Sequence, residues 1–179
     1  MNTLEALEAR EALIEAHTVV IGLGNPILSD DGVGIRAARL IKERLNGRAD
    51  VRVSEIYAGG IRLIDEMAGF DRALIIDAIQ TDKRNAEEAL EALEAREALP
   101  GSIYKLKVDD LPNSRNTGST HDMTLPLALE MGKMLGMKLP DEIDIWAIEA
   151  KDVNTFGEVL SDEVEKSLHI VVENVLGCL

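Results

Sequence analysis

The chain has 179 residues, of which 46% are hydrophobic, enough for one sizeable core and too few for two full domains. Nineteen basic and 33 acidic side chains give a formal net charge of −14, which opposes binding to nucleic acid and to anionic membranes. The one cysteine, Cys178, has no partner for an internal disulfide, and we expect neither a leader segment nor a membrane-spanning run from the sequence given. We therefore expect a single-domain protein of the reducing cytoplasm. As a separate prediction, we expect it to be a monomer.

Apolar runs alternate with segments of helical periodicity along the chain. The first run, HTVVIGL, is rich in β-branched residues and ends in glycines, and the segment after it places apolar side chains at helical spacing. Strands that alternate with helices indicate a largely parallel sheet in an α/β protein. Ser161 is the expected N-cap of the last helix. The predicted elements are strands at 17–23, 51–57, 72–79, 102–108 and 142–148, and helices at 33–45, 61–70, 124–135 and 162–176.

A decapeptide, LEALEAREAL, occurs twice, at residues 4–13 and 90–99. Its strong helix formers predict an N-terminal helix at 1–16 and an Ala/Glu-rich helical insertion at 81–100. Two surface helices are one interpretation, and pairing or docking to a partner is the other. The apolar stripes are mostly alanine and the period is not sustained, which favours the surface interpretation.

The loop GLGNPILSDDGVG after the first strand looks like a nucleotide-binding loop, but it does not fit one. The dinucleotide fingerprint G-x-G-x-x-G requires glycine where this chain has Ile27. Asp30 and Asp31 would also repel a pyrophosphate at a helix N-terminus. The opening GLGNP also occurs in peptidyl-tRNA hydrolases, but this loop lacks the histidine that those enzymes use, and the acidic surface disfavours tRNA.

Polar side chains follow predicted strands or lie in nearby loops: Asp30 and Asp31 after the first strand, Asp77 and His121. Ligands of open α/β sheets bind beyond the carboxyl ends of the strands, so these side chains are expected to converge there. Two carboxylates and an imidazole suit a borderline divalent metal with open coordination positions. Each residue taken alone also has a structural interpretation: a helix cap or turn for Asp31, hydrogen bonds to loop amides for Asp77, and packing for His121.

Four segments in order, GLGNPILSDDGVG, LIIDAI, STHDM and IWAIEAKDVNTFGEVLSDEVEK, resemble the hydrogenase maturation endopeptidases over residues 18–176. The resemblance implies a three-layer α/β/α fold with a mixed, mostly parallel five-stranded sheet, similar to peptidyl-tRNA hydrolases and purine phosphorylases. One strand of that sheet is expected to run antiparallel, and 102–108 is the candidate. The helical segments at 1–16 and 81–100 are departures from the family pattern.

The resemblance also implies a function. Members of the family are aspartic-type endopeptidases that remove the C-terminal extension of a nickel-iron hydrogenase large-subunit precursor after nickel insertion. Their metal-binding and catalytic positions fall on Asp31, Asp77 and His121, with Asp30 as a supporting neighbour. The nickel is carried by the precursor, although other divalent metals are expected to fit the site. The alternative is a nickel-binding maturation chaperone that cleaves nothing.

Overall fold

The computed structural model describes residues 17–57, 59–81, 99–111 and 124–179. These residues form one mixed sheet covered by helices on both faces, as the sequence predicts. None of the helices in these ranges is long and apolar enough to cross a lipid bilayer. The elements are β1 (Thr18–Leu23), a 3-10 helix (Ser29–Gly32), α1 (Val33–Leu45), β2 (Val51–Ile56), α2 (Ile61–Met67), β3 (Arg72–Ile79), β4 (Ile103–Lys107), a second 3-10 helix (Val108–Asp110), α3 (Leu125–Met134), β5 (Glu142–Glu149) and α4 (Asp162–Leu176).

The five strands lie in the order β2-β1-β3-β5-β4. Strands β1, β2, β3 and β5 are parallel, whereas β4 pairs antiparallel with β5. The antiparallel strand expected at 102–108 is therefore confirmed. The chain leaves β1 for β2 on one side and then returns to β3 on the other, which puts a topological switch point between β1 and β3.

Two hydrophobic cores lie on opposite faces of the sheet, because successive side chains of a strand point to opposite faces. Val20 of β1 faces the core shared with α1 and α4, while Val19 and Ile21 face the core shared with α2 and α3. Central strands that are buried on both faces read as continuous apolar runs. That is why the β1 and β3 segments were recognisable in the sequence.

The N-terminal end of α1 packs directly on the backbone of β1 and β3. A Cβ atom added at Gly34 would lie 2.3 Å from the carbonyl oxygens of Leu23 and Ile76. A Cβ atom at Gly22 would lie 2.2 Å from the Gly34 oxygen. Only glycine fits at these two positions, where the backbone of α1 contacts the backbone of β1 and β3. This contact holds the loop between β1 and α1 over the carboxyl ends of both strands.

Two predicted segments lie outside the described residues: the N-terminal helix at 1–16 and nearly all of the insertion at 81–100. The structure does describe the two ends of the insertion, Thr81 and Leu99. Both lie near the carboxyl ends of β3 and β5.

Candidate active site

Asp31 lies in the 3-10 helix that follows β1, and it is half-buried. Its Oδ2 accepts a hydrogen bond of 2.8 Å from the backbone N–H of Asn25. Gly24 makes this possible: its φ is +133°, and an added Cβ atom would lie 1.9 Å from the carbonyl oxygen of Asp31. The loop therefore turns back on itself beneath the carboxylate. Since α1 has no side-chain cap, the helix-cap interpretation of Asp31 is wrong.

Asp77 lies near the carboxyl end of β3, directly after four buried residues of that strand. Burial raises the pKa of its carboxyl, and the negative charge of Asp31 raises it further, to about 7. The hydrogen bond from the Ala78 backbone N–H lowers the pKa of Asp77, against these two effects. The pKa of Asp31 is also raised by burial, against the hydrogen bond from Asn25. Each carboxylate therefore lies where its ionised form is disfavoured, and the two are close enough to interact.

The fold explains why these two acids are neighbours. Strands β1 and β3 are adjacent and parallel, and the 3-10 helix contacts β3. Asp31 and Asp77 thus reach the same edge of the sheet, at the switch point. His121, the third predicted ligand, lies outside the described residues, so its place beside the two acids stays a prediction. No metal-binding group of three His, Cys, Asp or Glu side chains occurs among the residues that the structure describes.

Asp30 has a structural role that the sequence did not predict. Its side chain is fully buried and binds the loop between β5 and α4. Oδ2 accepts hydrogen bonds from the backbone N–H groups of Lys151 (2.9 Å) and Asp152 (3.0 Å). Oδ1 accepts from the Ser161 N–H at 2.7 Å, and the Ser161 hydroxyl donates to Oδ2 at 2.9 Å. Ser161 is the N-cap residue of α4, as expected, but its hydroxyl makes no capping hydrogen bond because it donates to Asp30.

Adjacent acids point in different directions because the turn that carries them is a 3-10 helix. With three residues per turn, successive side chains are about 120° apart. Asp30 therefore faces the protein while Asp31 faces the edge of the sheet. The sequence alone does not show that the two adjacent aspartates, Asp30 and Asp31, face in different directions.

Backbone contacts extend the junction that Asp30 begins. The Ser29 N–H donates to the Gly157 oxygen at 2.8 Å, and the Gly157 N–H donates to the Ile27 oxygen at 3.0 Å. The Ser29 hydroxyl donates to the Val159 oxygen at 2.9 Å. We call residues 25–30 and 150–161 the two-loop platform. It stands beside Asp31 at the carboxyl edge of the sheet, and the sequence analysis did not foresee it.

A second buried acid, Glu149, anchors the base of the 81–100 insertion. Its carboxylate accepts hydrogen bonds of 2.8 Å from both the backbone N–H and the hydroxyl of Thr81. Its backbone oxygen accepts from the Gly101 N–H, also at 2.8 Å. The insertion therefore leaves and rejoins the sheet at the carboxyl end of β5, the strand next to the one that carries Asp77.

Comparison with known proteins agrees with this architecture. The family model described as hydrogenase maturation protease (HycI) matches residues 90–178. A putative hydrogenase maturation protease of Methanocaldococcus jannaschii is 28% identical over 167 residues, covering 89% of this chain and 94% of the relative. The hydrogenase 2 maturation protease of Escherichia coli is 25% identical over 162 residues, covering 90% of this chain and 89% of the relative.

In sequence the chain matches the hydrogenase maturation proteases.

A solved structure supports the fold independently. The hydrogenase maturating endopeptidase HybD of E. coli superposes with a TM-score of 0.64 at 23% identity, covering 91% of each chain. The mixed five-stranded α/β fold is therefore confirmed as that of the family. The relatives are named as proteases and endopeptidases, so the predicted enzyme class, an endopeptidase, is also confirmed.

Proposed function

We propose that this maturation protease removes the C-terminal extension of a nickel-iron hydrogenase large-subunit precursor, and that it does so after nickel insertion by recognising the bound metal. Asp31, Asp77 and His121 are the residues proposed to contact the nickel. The observation that carries the proposal is the pair of interacting carboxyl groups at the switch point, where the pKa of Asp77 is raised to about 7.

The electrostatics of the pair favour a cation. Burial and mutual repulsion make two ionised carboxylates costly here, and a divalent cation relieves both effects. Nickel held by cysteine thiolates of a precursor would still have coordination positions for oxygen and nitrogen ligands. A site with so few protein ligands binds metal weakly alone, so we expect it to engage nickel chiefly in the precursor.

Recognition and proton transfer are coupled in this arrangement. At neutral pH Asp77 is protonated for a substantial part of the time, because its pKa is about 7. Approach of a cation favours ionisation, so the proton leaves when the metal-loaded precursor docks. The carboxylate oxygens directed away from the metal are then able to accept a proton from a water that attacks the scissile carbonyl. Hydrolysis is thereby confined to precursors that carry metal.

Two substitutions at the pair test this proposal. Asp31→Asn and Asp77→Asn keep the side-chain shape and remove the charge, and we expect each to abolish loss of the C-terminal peptide, measured by mass spectrometry of the nickel-loaded precursor. Asp109→Asn is the matched control, because Asp109 is an exposed acid in the second 3-10 helix, at the opposite edge of the sheet. Normal cleavage by either pair variant would remove that residue from the mechanism.

The same assay separates the protease from the chaperone alternative. A complex with the precursor that forms without any loss of mass would indicate a nickel chaperone. The family assignment favours the protease. We further propose that the enzyme acts as a monomer in the cytoplasm, where nickel insertion into the precursor precedes cleavage.

A further inference from the structure

The two-loop platform carries three large apolar side chains that face solvent. Ile27 is 49% exposed, Phe156 81% and Val159 78%. We propose that these three side chains, together called the apolar rim, form the docking surface for the protein substrate, and that the segment they bind carries apolar side chains flanked by basic residues. This inference rests on the proposed function and names the surface through which the precursor is held beside the carboxyl pair.

The rim is presented on a fixed backbone. Hydrogen bonds on both sides of Gly157 join its peptide to Ile27 and Ser29, and the Ser29 hydroxyl binds the Val159 oxygen. Asp30 fixes the start and the end of the same loop through Lys151, Asp152 and Ser161. Phe156 and Val159 therefore lie on a loop whose backbone is held in place by hydrogen bonds. Exposed apolar groups held in this way mark sites of protein interaction.

The rim is continuous with the carboxyl pair. Asp30, which holds the platform, precedes Asp31 directly in the 3-10 helix. The parallel bridge between Leu28 and Gly157 places the Phe156 segment beside the segment that leads into that helix. The rim therefore lies beside the segment that leads to Asp31. The loop that leads to Asp31 thus presents Ile27, and the loop bonded to it presents Phe156 and Val159.

Charge identifies the kind of segment that fits. The basic side chains at the platform are engaged within the protein: Lys151 pairs with Glu163 at 2.9 Å, and Arg36 pairs with Glu165 at 3.3 Å and donates to the Glu158 oxygen. Glu158, between Phe156 and Val159 in the chain, is exposed. An acidic surround attracts a positively charged partner, and the net charge of −14 opposes the docking of a second copy of this chain.

A double substitution, Phe156→Ser with Val159→Ser, tests the rim. We expect KM for the nickel-loaded precursor to rise at least about tenfold while kcat changes little, because truncation of apolar anchors that the precursor would cover weakens binding without touching the reacting groups. The matched control is Met134→Ser with Leu135→Ser, an equally apolar pair that is 87% and 73% exposed at the end of α3. An unchanged KM in the rim variant, or an equal rise in the control, would overturn the inference.

A binding measurement keeps this result separate from the fate of the proposed function. A photoreactive phenylalanine analogue in place of Phe156 is irradiated in the full-length enzyme with nickel-loaded precursor, and the adduct is identified by mass. A crosslink to the precursor supports the rim even if the wild-type enzyme cleaves nothing, in which case the protease proposal alone fails. A crosslink only to a second copy, or only within the same chain, shows another occupant and refutes the rim as the substrate surface.

Discussion

The substitution Asp77→Asn is expected to stabilise the protein at alkaline pH while it abolishes cleavage. The reason is that burial and the charge of Asp31 raise the pKa of the Asp77 carboxyl from 3.8 to about 7 in the folded protein. The folded state therefore binds a proton that the unfolded state has already lost. Between pH 4 and 7 the free energy of unfolding falls as the pH rises, and the loss is complete above the folded pKa.

The magnitude follows from the two pKa values. The difference between 3.8 and about 7 corresponds to about 4 kcal/mol if all of it acts on folding. Asp77 is half-buried, so solvent screening reduces the effect, and we expect roughly 1–3 kcal/mol. Asparagine removes the titration and nearly conserves the volume. The variant should therefore exceed the wild type by this amount at pH 8 and match it closely at pH 4.

The assay is urea unfolding at several pH values between 4 and 8. The single tryptophan, Trp146, is 8% exposed and reports unfolding by fluorescence. The informative quantity is the difference in unfolding free energy between the Asp77→Asn variant and the wild type. A difference that stays constant from pH 4 to 8, or a variant that is less stable at pH 8, would refute the reasoning.

Three further predictions concern the same edge of the sheet. Asp30→Ala should lower the unfolding free energy by about 2–4 kcal/mol and speed amide hydrogen exchange at 151–161, because it leaves loop N–H groups without an acceptor; unchanged exchange there would contradict the bracing role. Gly24→Ala should destabilise the protein by about 2 kcal/mol or more and impair cleavage, since the added Cβ atom meets the Asp31 backbone; a wild-type melting temperature would contradict this. Binding of nickel-loaded precursor, measured by calorimetry, should tighten as the pH rises through about 7, where the Asp77 carboxyl loses its proton; pH-independent binding would contradict the coupling.

The strands of the sheet were predictable because each central strand forms a local run of apolar residues. The β1 and β3 segments are apolar on both faces, so each forms an uninterrupted run between turn residues. The antiparallel direction of β4 could not be predicted from its own residues, because the alternation of side chains along a strand carries no information about the orientation of its partner. That direction came from the resemblance to a known family, and the structure confirms it.

The two acids of the site were predictable by position, since carboxyl ends of adjacent parallel strands meet at one edge. The role of Asp30 was not, because its partners lie 121 to 131 positions further along the chain. Ser161 occupies the expected N-cap position, but the local sequence pattern could not reveal the distant carboxylate of Asp30 that accepts its hydroxyl hydrogen bond. Exposure of Phe156 likewise depends on how a long loop is braced.

Cleavage of nickel-loaded and nickel-free precursor by the same preparation of wild-type enzyme is the most direct test of metal recognition by the carboxyl pair. The two substrates are compared at equal concentration, and loss of the C-terminal peptide is followed by mass spectrometry. The account predicts rapid loss from the nickel-loaded precursor and none from the nickel-free one. Equal cleavage of both precursors would contradict it.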